Sequence, residues 1–313
     1  MATLVANASG KLMRNVALST SEPFLSTQWD FFGTSSSTSA GVGVDGTSGR
    51  MACVDTGNGG NNLHGFVNNS VAAQATGMVQ ATGRRRGGDT GFPTFGLLGA
   101  ATLNDNGLGA GDPDIDAYCF RKGITAVFGQ PRNLITYNPT ENFEVGSTGA
   151  LVAINEDIDL SLRWEPDKPA GWNSKDDAVD ASTDATTSFA SGRAGAVGTG
   201  TTLGVAQPLF DFSLFNIHDD WLVYFSNLPS GYKGRILGAA DAVLATATEV
   251  GGTAEVDCTD VWLADAVAVV VLDASNVEQA RVTPADGVWG GDVYTFSGSG
   301  DGVPEYKAAI QWP

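Results

Sequence analysis

The sequence predicts an all-β protein, and three observations favour this class. Glycine accounts for 41 of the 313 residues, and Thr, Ser, Ala and Val are also abundant, a mixture typical of short strands joined by tight turns. Short apolar runs recur between turn residues, several of them with alternating polar positions. Outside these runs, no window repeats apolar residues at three-and-four spacing with caps at both ends.

Charge and hydropathy narrow the classes of partner. The formal net charge is −18, which disfavours binding to a phosphate backbone, so no nucleic-acid partner is expected. No apolar stretch approaches the roughly 20 residues of a spanning helix, so no membrane insertion is expected. The N-terminus lacks a basic region followed by an apolar core, and synthesis in a host cytoplasm without a Sec signal peptide is therefore expected.

The first part of the chain contains strand-like segments at regular intervals. Ile158–Trp164 alternates most clearly, because its four even positions are apolar while Asp159, Ser161 and Arg163 are polar. One face of this strand is expected in a core and the other in water. A polar tract at 173–204 is either a long exposed loop or, in part, a late strand. The other predicted strands are 50–54, 72–83, 94–101, 116–121, 126–129, 133–137, 151–154 and 209–215.

The order of four motifs resembles a known family. They are Ala75-Thr-Gly-Met-Val-Gln-Ala-Thr-Gly-Arg-Arg-Arg, Phe95-Gly-Leu-Leu-Gly, Asp116-Ala-Tyr-Cys-Phe-Arg-Lys-Gly and Asp159-Leu-Ser-Leu-Arg-Trp-Glu. This order resembles a concanavalin A-like jelly roll of the laminin-G type, as found in phage and bacterial surface proteins. The resemblance implies a large β-sandwich over the N-terminal part of the chain.

A second, smaller domain is predicted after a boundary at Asn227-Leu-Pro-Ser-Gly-Tyr, where Pro and Gly coincide with a change of pattern. The predicted domains are a jelly roll over residues 1–226 and an immunoglobulin-like β-sandwich over 227–313, because strands at spacings of roughly ten residues suit such a sandwich. The predicted strands of this second domain are 233–237, 243–248, 253–258, 266–272, 278–283, 293–296 and 308–312.

Cysteine and histidine patterns give no sign of a zinc site or a catalytic triad. Cys53, Cys119 and Cys258 lie far apart with no C-x-x-C pair, which predicts free thiols rather than a disulfide framework. His64 and His218 have no Cys, Asp or Glu at a ligand spacing and are expected in loops or turns.

Two groups of carboxylates are candidates for calcium binding or for glycoside hydrolysis. Asp112, Asp114 and Asp116 alternate along one segment and could bind Ca²⁺, although the segment lacks the glycine and glutamate of an EF-hand. A solvated loop is the alternative reading, and no other cofactor is expected. Concanavalin-like folds also occur in glycoside hydrolases, but Glu156-Asp-Ile-Asp lacks the further Glu of a paired-acid strand. The sequence therefore predicts no enzyme.

The leading functional hypothesis is a virion structural protein on the particle surface, either a capsid decoration protein or a tail fibre or spike component. Its partners would be other virion proteins and itself, with a trimer favoured by symmetric sites. Arg84-Arg-Arg is either a solvated strand end or a basic run that pairs with acidic neighbours or contacts a partner subunit. The alternatives are a microbial cell-surface adhesin or a carbohydrate-binding module that contacts a host glycan. Candidate stacking residues for a glycan are Trp29, Tyr137 and Trp172.

Overall fold

The chain forms four β-sheets in the residues that the structure describes. The structure is a computed structural model, and it describes residues 3–7, 29–33, 41–45, 50–55, 62–69, 71–85, 94–103, 115–123, 134–138, 141–145, 156–166, 171–174, 180–181, 189–200 and 207–297. Apart from strands, regular structure in these ranges is limited to two single-turn 3-10 helices, Ala239–Asp241 and Leu263–Asp265. The predicted all-β class is confirmed. No helix in these ranges is long and apolar enough to cross a membrane.

The larger sandwich consists of two seven-stranded sheets. The front sheet has the order β10-β9-β8-β7-β14-β5-β2, and the back sheet has the order β13-β12-β11-β6-β15-β4-β3. The front strands are β2 Trp29–Gly33, β5 Asn62–Asn68, β7 Thr94–Leu103, β8 Ile115–Gly123, β9 Leu134–Asn138, β10 Glu141–Val145 and β14 Arg193–Gly200. The back strands are β3 Gly41–Asp45, β4 Arg50–Asp55, β6 Gly77–Arg85, β11 Ile158–Trp164, β12 Gly171–Ser174, β13 Asp180–Ala181 and β15 Gln207–His218.

The smaller sandwich consists of two four-stranded sheets. One has the order β1-β22-β16-β19 and the other β18-β17-β20-β21. The strands of the first are β1 Thr3–Asn7, β16 Leu222–Ser226, β19 Thr253–Asp257 and β22 Val293–Ser297. Those of the second are β17 Lys233–Leu237, β18 Val243–Thr248, β20 Ala268–Leu272 and β21 Glu278–Val282.

Strand pairing crosses the predicted boundary at residue 227 in two places. Thr3–Asn7 runs antiparallel to β22, and Leu222–Ser226 pairs with β19 and β22. Both strands lie before residue 227 in the sequence, yet both belong to a sheet of the smaller sandwich. The division into domains 1–226 and 227–313 and the immunoglobulin-like assignment stay predictions.

Aromatic side chains fill the core of the larger sandwich. Phe66 from the front sheet and Phe212 and Phe215 from the back sheet make edge-on and tilted ring contacts, a geometry that aromatic quadrupoles favour. Trp164 at the end of β11 is also fully buried, and its ring occupies the space beside Gly77 and Gly99, where a Cβ would overlap it. The even positions of β11 are therefore core residues, as the alternation predicted.

One polar position of β11 differs from expectation. Ser161 was expected in water together with Asp159 and Arg163, but it is only 5% exposed. The reason is that its cross-strand neighbour Gln80 bonds to Val261 and Leu263 of the smaller sandwich, which covers this part of the outer face of the back sheet. A pattern of period two identifies which residues share a face, but not what lies over that face.

The polar tract at 173–204 contains a central strand. β14 lies between β7 and β5 in the front sheet, so the strand reading holds for residues 193–200. Gly195 is required there because a Cβ would overlap the Phe66 carbonyl oxygen of β5. The predicted strands at 126–129, 151–154 and 308–312 lie outside the described residues, and residues 72–76 precede β6 instead of belonging to it.

A close backbone approach at Gly192 gives a stability prediction. Gly192 and Gln74 exchange two backbone hydrogen bonds of 2.7 and 2.9 Å, and a Cβ at Gly192 would overlap the backbone carbonyl of Ala100. We expect Gly192→Ala to lower the free energy of unfolding by about 3 kcal/mol, because overpacking against the backbone forces the strands apart. Urea titration followed by circular dichroism measures this. The neighbouring Ser191→Ala is the control and should change stability by less than about 0.5 kcal/mol; equal midpoints for both variants would contradict the packing argument.

Candidate functional site

The sequence-predicted stacking residues lie far apart along the sheets. Trp29 is on edge strand β2 opposite Asn68, and Tyr137 is on β9 opposite Ala117. These strands are five spacings apart in the front sheet, which corresponds to roughly 24 Å. Trp172 is in the back sheet, opposite Leu162. The backbone does not place any two of the three on neighbouring strands, and their role in glycan binding stays a prediction.

The predicted calcium ligands are only partly within the described residues. Asp116 lies on β8 opposite Thr102, whereas Asp112 and Asp114 lie outside the described residues. Within the described ranges, no group of three or more His, Cys, Asp or Glu residues could hold a metal ion. Calcium binding therefore stays a prediction from the sequence.

The two histidines differ from expectation, whereas Cys258, the cysteine whose side chain the structure describes, agrees with it. His64 lies within β5 and His218 ends β15, so neither is in a loop. Cys258 is a buried free thiol, as predicted from the cysteine spacing. Burial and then the nearby carboxylate of Asp257 raise the pKa of this thiol. The protonated thiol is therefore a poor nucleophile.

The outer face of the back sheet carries the contact between the sandwiches. Even-numbered residues of β6 point to this face, because Val79 and Ala81 point into the core. The cross-strand register aligns each of these β6 residues with one residue of β11 and one of β15, and each set of three forms a row across the face. The first row is Arg163, Met78 and His218; the second is Ser161, Gln80 and Asn216; the third is Asp159, Thr82 and Leu214.

Gln80 joins the two sandwiches through its side-chain amide. Its Nε2 donates to the Val261 carbonyl oxygen at 2.8 Å, and its Oε1 accepts from the Leu263 amide at 3.1 Å. Gln80 is 1% exposed, so each of these groups would lack a water partner if the amide were removed. Buried polar groups without partners are costly, and this side chain therefore fixes the loop that contains Val261 and Leu263 onto the sheet.

Apolar and aromatic contacts complete this interface. Met78 is fully buried and belongs to the core of the smaller sandwich, together with Trp221 and Val223. The Arg163 guanidinium lies over the Trp221 ring, 5.4 Å from the ring centroid, a favourable cation–π geometry. The first row of the outer face is therefore a shared core of both sandwiches.

His218 is buried at the end of the first row. Its Nδ1 accepts a hydrogen bond of 3.3 Å from the Gly290 amide, and its ring is 5.0 Å from that of Trp289. Burial lowers the pKa of His218 to about 3, so the imidazole is neutral at physiological pH. Among the described residues, neither its Nε2 nor the buried Oδ1 of Asn216 has a hydrogen-bond partner.

An acidic turn connects the sandwiches directly after β15. Asp219 accepts a 3.1 Å bond from Gln74 Nε2, and Asp220 accepts from the Trp221 amide and the Tyr224 hydroxyl at 2.7 and 2.5 Å. Burial raises the pKa of Asp219 to about 6; the Gln74 bond opposes this shift, and the charges of Asp220 and Asp292 add to it. Burial, then the bond to Asp220, raises the pKa of Tyr224.

The third row of the outer face is only partly covered. Thr82 Oγ1 donates to Asp159 Oδ1 at 2.6 Å, and beyond them Arg84 Nε lies 3.8 Å from Asp157 Oδ1. Thr82, Asp159, Arg84 and Leu214 are half-buried, and Asp157 is exposed. Arg84, the first residue of the predicted basic run, is thus next to an acidic neighbour. The loop at 260–265, which contains Trp262, is bonded to Gln80 in the neighbouring second row.

Comparisons with known proteins give fold likenesses at low identity. No protein-family model matches the chain, and no curated protein matches it. Similar solved structures include a carbohydrate-binding module, CBM66 from Bacillus subtilis, at 11% identity and a TM-score of 0.39, covering 57% of this chain and 95% of that one. The VIP36 lumenal domain bound to Ca²⁺ and Man3GlcNAc is 12% identical, with a TM-score of 0.41, covering 69% and 90%. A xylan β-1,4-xylosidase from Bacillus halodurans is 12% identical, with a TM-score of 0.40, covering 66% and 39%.

By their descriptions, these structural neighbours include a carbohydrate-binding module, a domain bound to an oligosaccharide and a xylosidase. At TM-scores near 0.4, they assign no ligand and no site residue to this chain. Phage origin and the immunoglobulin-like assignment stay predictions from the sequence.

Replacing Gln80 tests the joint between the sandwiches. Gln80→Leu keeps the side-chain size but leaves the Val261 carbonyl and the Leu263 amide unpaired in a buried site. We expect a loss of about 2–4 kcal/mol in the free energy of unfolding, measured by urea titration. The matched control is Gln279→Leu on β21, where the amide bonds only to part-buried or exposed groups, and its effect should be below about 0.5 kcal/mol. Equal losses in both variants would show that Gln80 does not bridge the sandwiches.

Asp219→Asn tests the acidic turn. In the folded state the pKa of Asp219 is raised from 3.8 to about 6. Between pH 3.8 and 6 the folded state therefore binds more protons than the unfolded state. The contribution of Asp219 to stability falls as the pH rises through this range. The amide removes the half-buried charge, and the variant should be more stable than wild type at pH 7. With allowance for solvent screening, we expect about 1 kcal/mol, vanishing near pH 4. Thermal unfolding from pH 4 to pH 8 measures this, and a difference independent of pH would contradict it.

Proposed function

We propose that this chain is a non-enzymatic surface protein whose larger sandwich recognises carbohydrate. The observation that carries the proposal is the divided outer face of the back sheet. One half is buried under the smaller sandwich through Gln80 and Met78, and the other half presents polar side chains beside the joint. A site on rigid strands with a few fixed polar groups suits recognition of a small polar ligand.

Burial excludes much of the front sheet from such a role. Phe66, Leu97 and Ala196 fill the core on its inner face, and Val67, Leu98 and Val197, which alternate with them, are at most 1% exposed on the opposite face. Side chains that are buried on both faces cannot contact a glycan. The partly open rows of the back sheet are therefore the better candidate surface among the described residues.

Display on a virion remains a second proposal, which rests on the sequence. The proposed setting is a capsid decoration or tail protein that assembles with itself as a trimer and with other virion proteins, or alternatively a microbial adhesin. Carbohydrate recognition fits either setting, since both need contact with a host surface. The acidic composition, with a net charge of −18, supports neutral glycans over anionic ones because like charges repel.

A glycan array probed with the full chain tests carbohydrate recognition. We expect saturable binding to a subset of neutral glycans that changes little between 0.05 and 0.5 M NaCl, since neutral ligands do not depend on long-range charge. Parallel arrays in CaCl₂ and in EDTA test the predicted calcium site at Asp112, Asp114 and Asp116. Loss of the array signal in EDTA supports this site, and an unchanged signal contradicts it. The absence of saturable signal under both conditions would overturn carbohydrate recognition.

A further inference from the structure

We propose that Trp262 and the third row of the back-sheet face form a binding site for a neutral sugar ring, with Trp262 as the stacking surface. This inference rests on the proposed carbohydrate-binding function and names its site. The residues come from both sandwiches: Trp262 from the smaller one, and Thr82, Asp159 and Leu214 from the larger one. None of the residues predicted from the sequence to bind a glycan or calcium is among them.

The backbone at Trp262 determines the direction of its side chain. Val261 and Leu263 on either side are buried in the core of the smaller sandwich, the same core that contains Met78 of the first row. Trp262 has an extended backbone, with φ −79° and ψ 97°, and successive side chains of an extended chain point to opposite sides. The indole therefore points away from Met78 and the first row. This direction leads towards the third row, which is only partly covered.

Gln80 places Trp262 within reach of the third row. Its amide bonds to the residues before and after Trp262, so the tryptophan backbone is held over the second row. Thr82 is two residues further along β6, which is about 7 Å. A tryptophan side chain that leaves the second row in this direction lies beside Thr82 and its cross-strand neighbours Asp159 and Leu214.

Trp262 differs from the structural tryptophans of this chain. Trp164, Trp221 and Trp289 are at most 9% exposed, and each makes a hydrogen bond or a cation–π contact through its side chain. Trp262 is partly exposed and belongs to none of the core clusters formed by described residues, and its side chain, unlike its backbone, makes no hydrogen bond or ring contact with them. A tryptophan fixed at a surface offers an apolar ring face for stacking and an N–H donor for a hydrogen bond to a ligand.

The side chains of the third row, which form the floor of the proposed site below Trp262, match the chemistry of a sugar. A pyranose ring has an apolar C–H face that packs on an aromatic ring and a rim of hydroxyl groups that both donate and accept hydrogen bonds. Thr82 Oγ1 donates to Asp159 Oδ1, and the half-buried Arg84 guanidinium lies beside Asp157. Hydroxyl, carboxylate and guanidinium groups are of the kinds that bond to sugar hydroxyls. Half-buried Leu214 adds an apolar contact on the same row.

Charge around this site favours a neutral ligand. Asp159 and Asp157 line the floor, and exposed Asp260 and Asp265 flank Trp262 in the loop, while Arg84 is the basic side chain described among them. An anionic sugar would bring a further negative charge into this group, at a cost that rises as water is excluded. The site is therefore assigned to uncharged hexoses or pentoses and not to sialylated or sulfated glycans.

The decisive experiment compares Trp262→Ala, Trp262→Phe and Asp159→Asn with wild type. The probe is the neutral oligosaccharide that gives the strongest array signal with the wild-type full chain, titrated by calorimetry. We expect Trp262→Ala to weaken binding at least about tenfold and Asp159→Asn about fivefold, with Trp262→Phe in between, since tenfold corresponds to 1.4 kcal/mol. Val277→Ala, at a 56% exposed residue of the β20–β21 turn, is the control and should bind as wild type does.

The outcomes separate this site from the general function. If wild type binds a neutral glycan and Trp262→Ala binds it within twofold, the site is wrong and the carbohydrate function stands. If wild type binds no glycan, both fail; if its strongest ligand is sialylated or sulfated, the neutral assignment fails. Should Trp262→Ala not fold, Trp262→Phe and Asp159→Asn decide by the same criterion. A shift of Trp262→Ala from oligomer to monomer in sedimentation velocity would instead assign Trp262 to a contact between copies and overturn the site.

Discussion

The buried amide of Gln80 is the interaction on which the arrangement of the two sandwiches depends. It replaces water for one carbonyl and one amide of the opposite loop, and a buried group of this kind must be fully satisfied. Strand β6 therefore serves two cores at once. Val79 and Ala81 fill the larger sandwich, while Met78 fills the smaller one. A one-residue slip of this strand would reverse both sets of contacts, so the register of β6 and the docking of the sandwiches are specified together.

Two titratable groups at the end of β15 and in the turn after it have opposite effects on the pH dependence of stability. His218 must stay neutral when buried, which favours the folded state at higher pH, whereas Asp219 is held with a raised pKa, which favours the folded state at lower pH. Between about pH 4 and 6 both groups titrate between the folded and unfolded states with opposite signs, so their contributions to the pH dependence largely cancel.

Sequence patterns predicted the strands better than they predicted the interface. Ile158–Trp164 and Lys233–Leu237 have the predicted bounds, because side-chain alternation and turn residues act locally. β14 was ambiguous because Arg-Ala-Gly-Ala-Val-Gly-Thr-Gly carries small residues that a central position requires but that also occur in loops. Ser161 was misjudged because the covering surface comes from residues 261–263, about a hundred positions away along the chain. Trp262 could have been noticed from its apolar neighbours Val261 and Leu263, which predict that the intervening side chain points outwards.

The short connection between β15 and β16 makes a site shared by both sandwiches physically reasonable. Only Asp219, Asp220 and Trp221 separate these strands, and each has a partner that limits rotation: Gln74 for Asp219, Tyr224 for Asp220 and Arg163 for Trp221. Gly290 adds to this restraint, because its α-carbon lies so close to the Asp220 carbonyl that a Cβ would overlap it. The loop that carries Trp262 is thus held relative to Thr82 and Asp159 before any ligand arrives. Binding there would lose little conformational entropy, and this preorganisation allows a shallow site with a single aromatic surface to bind a sugar measurably.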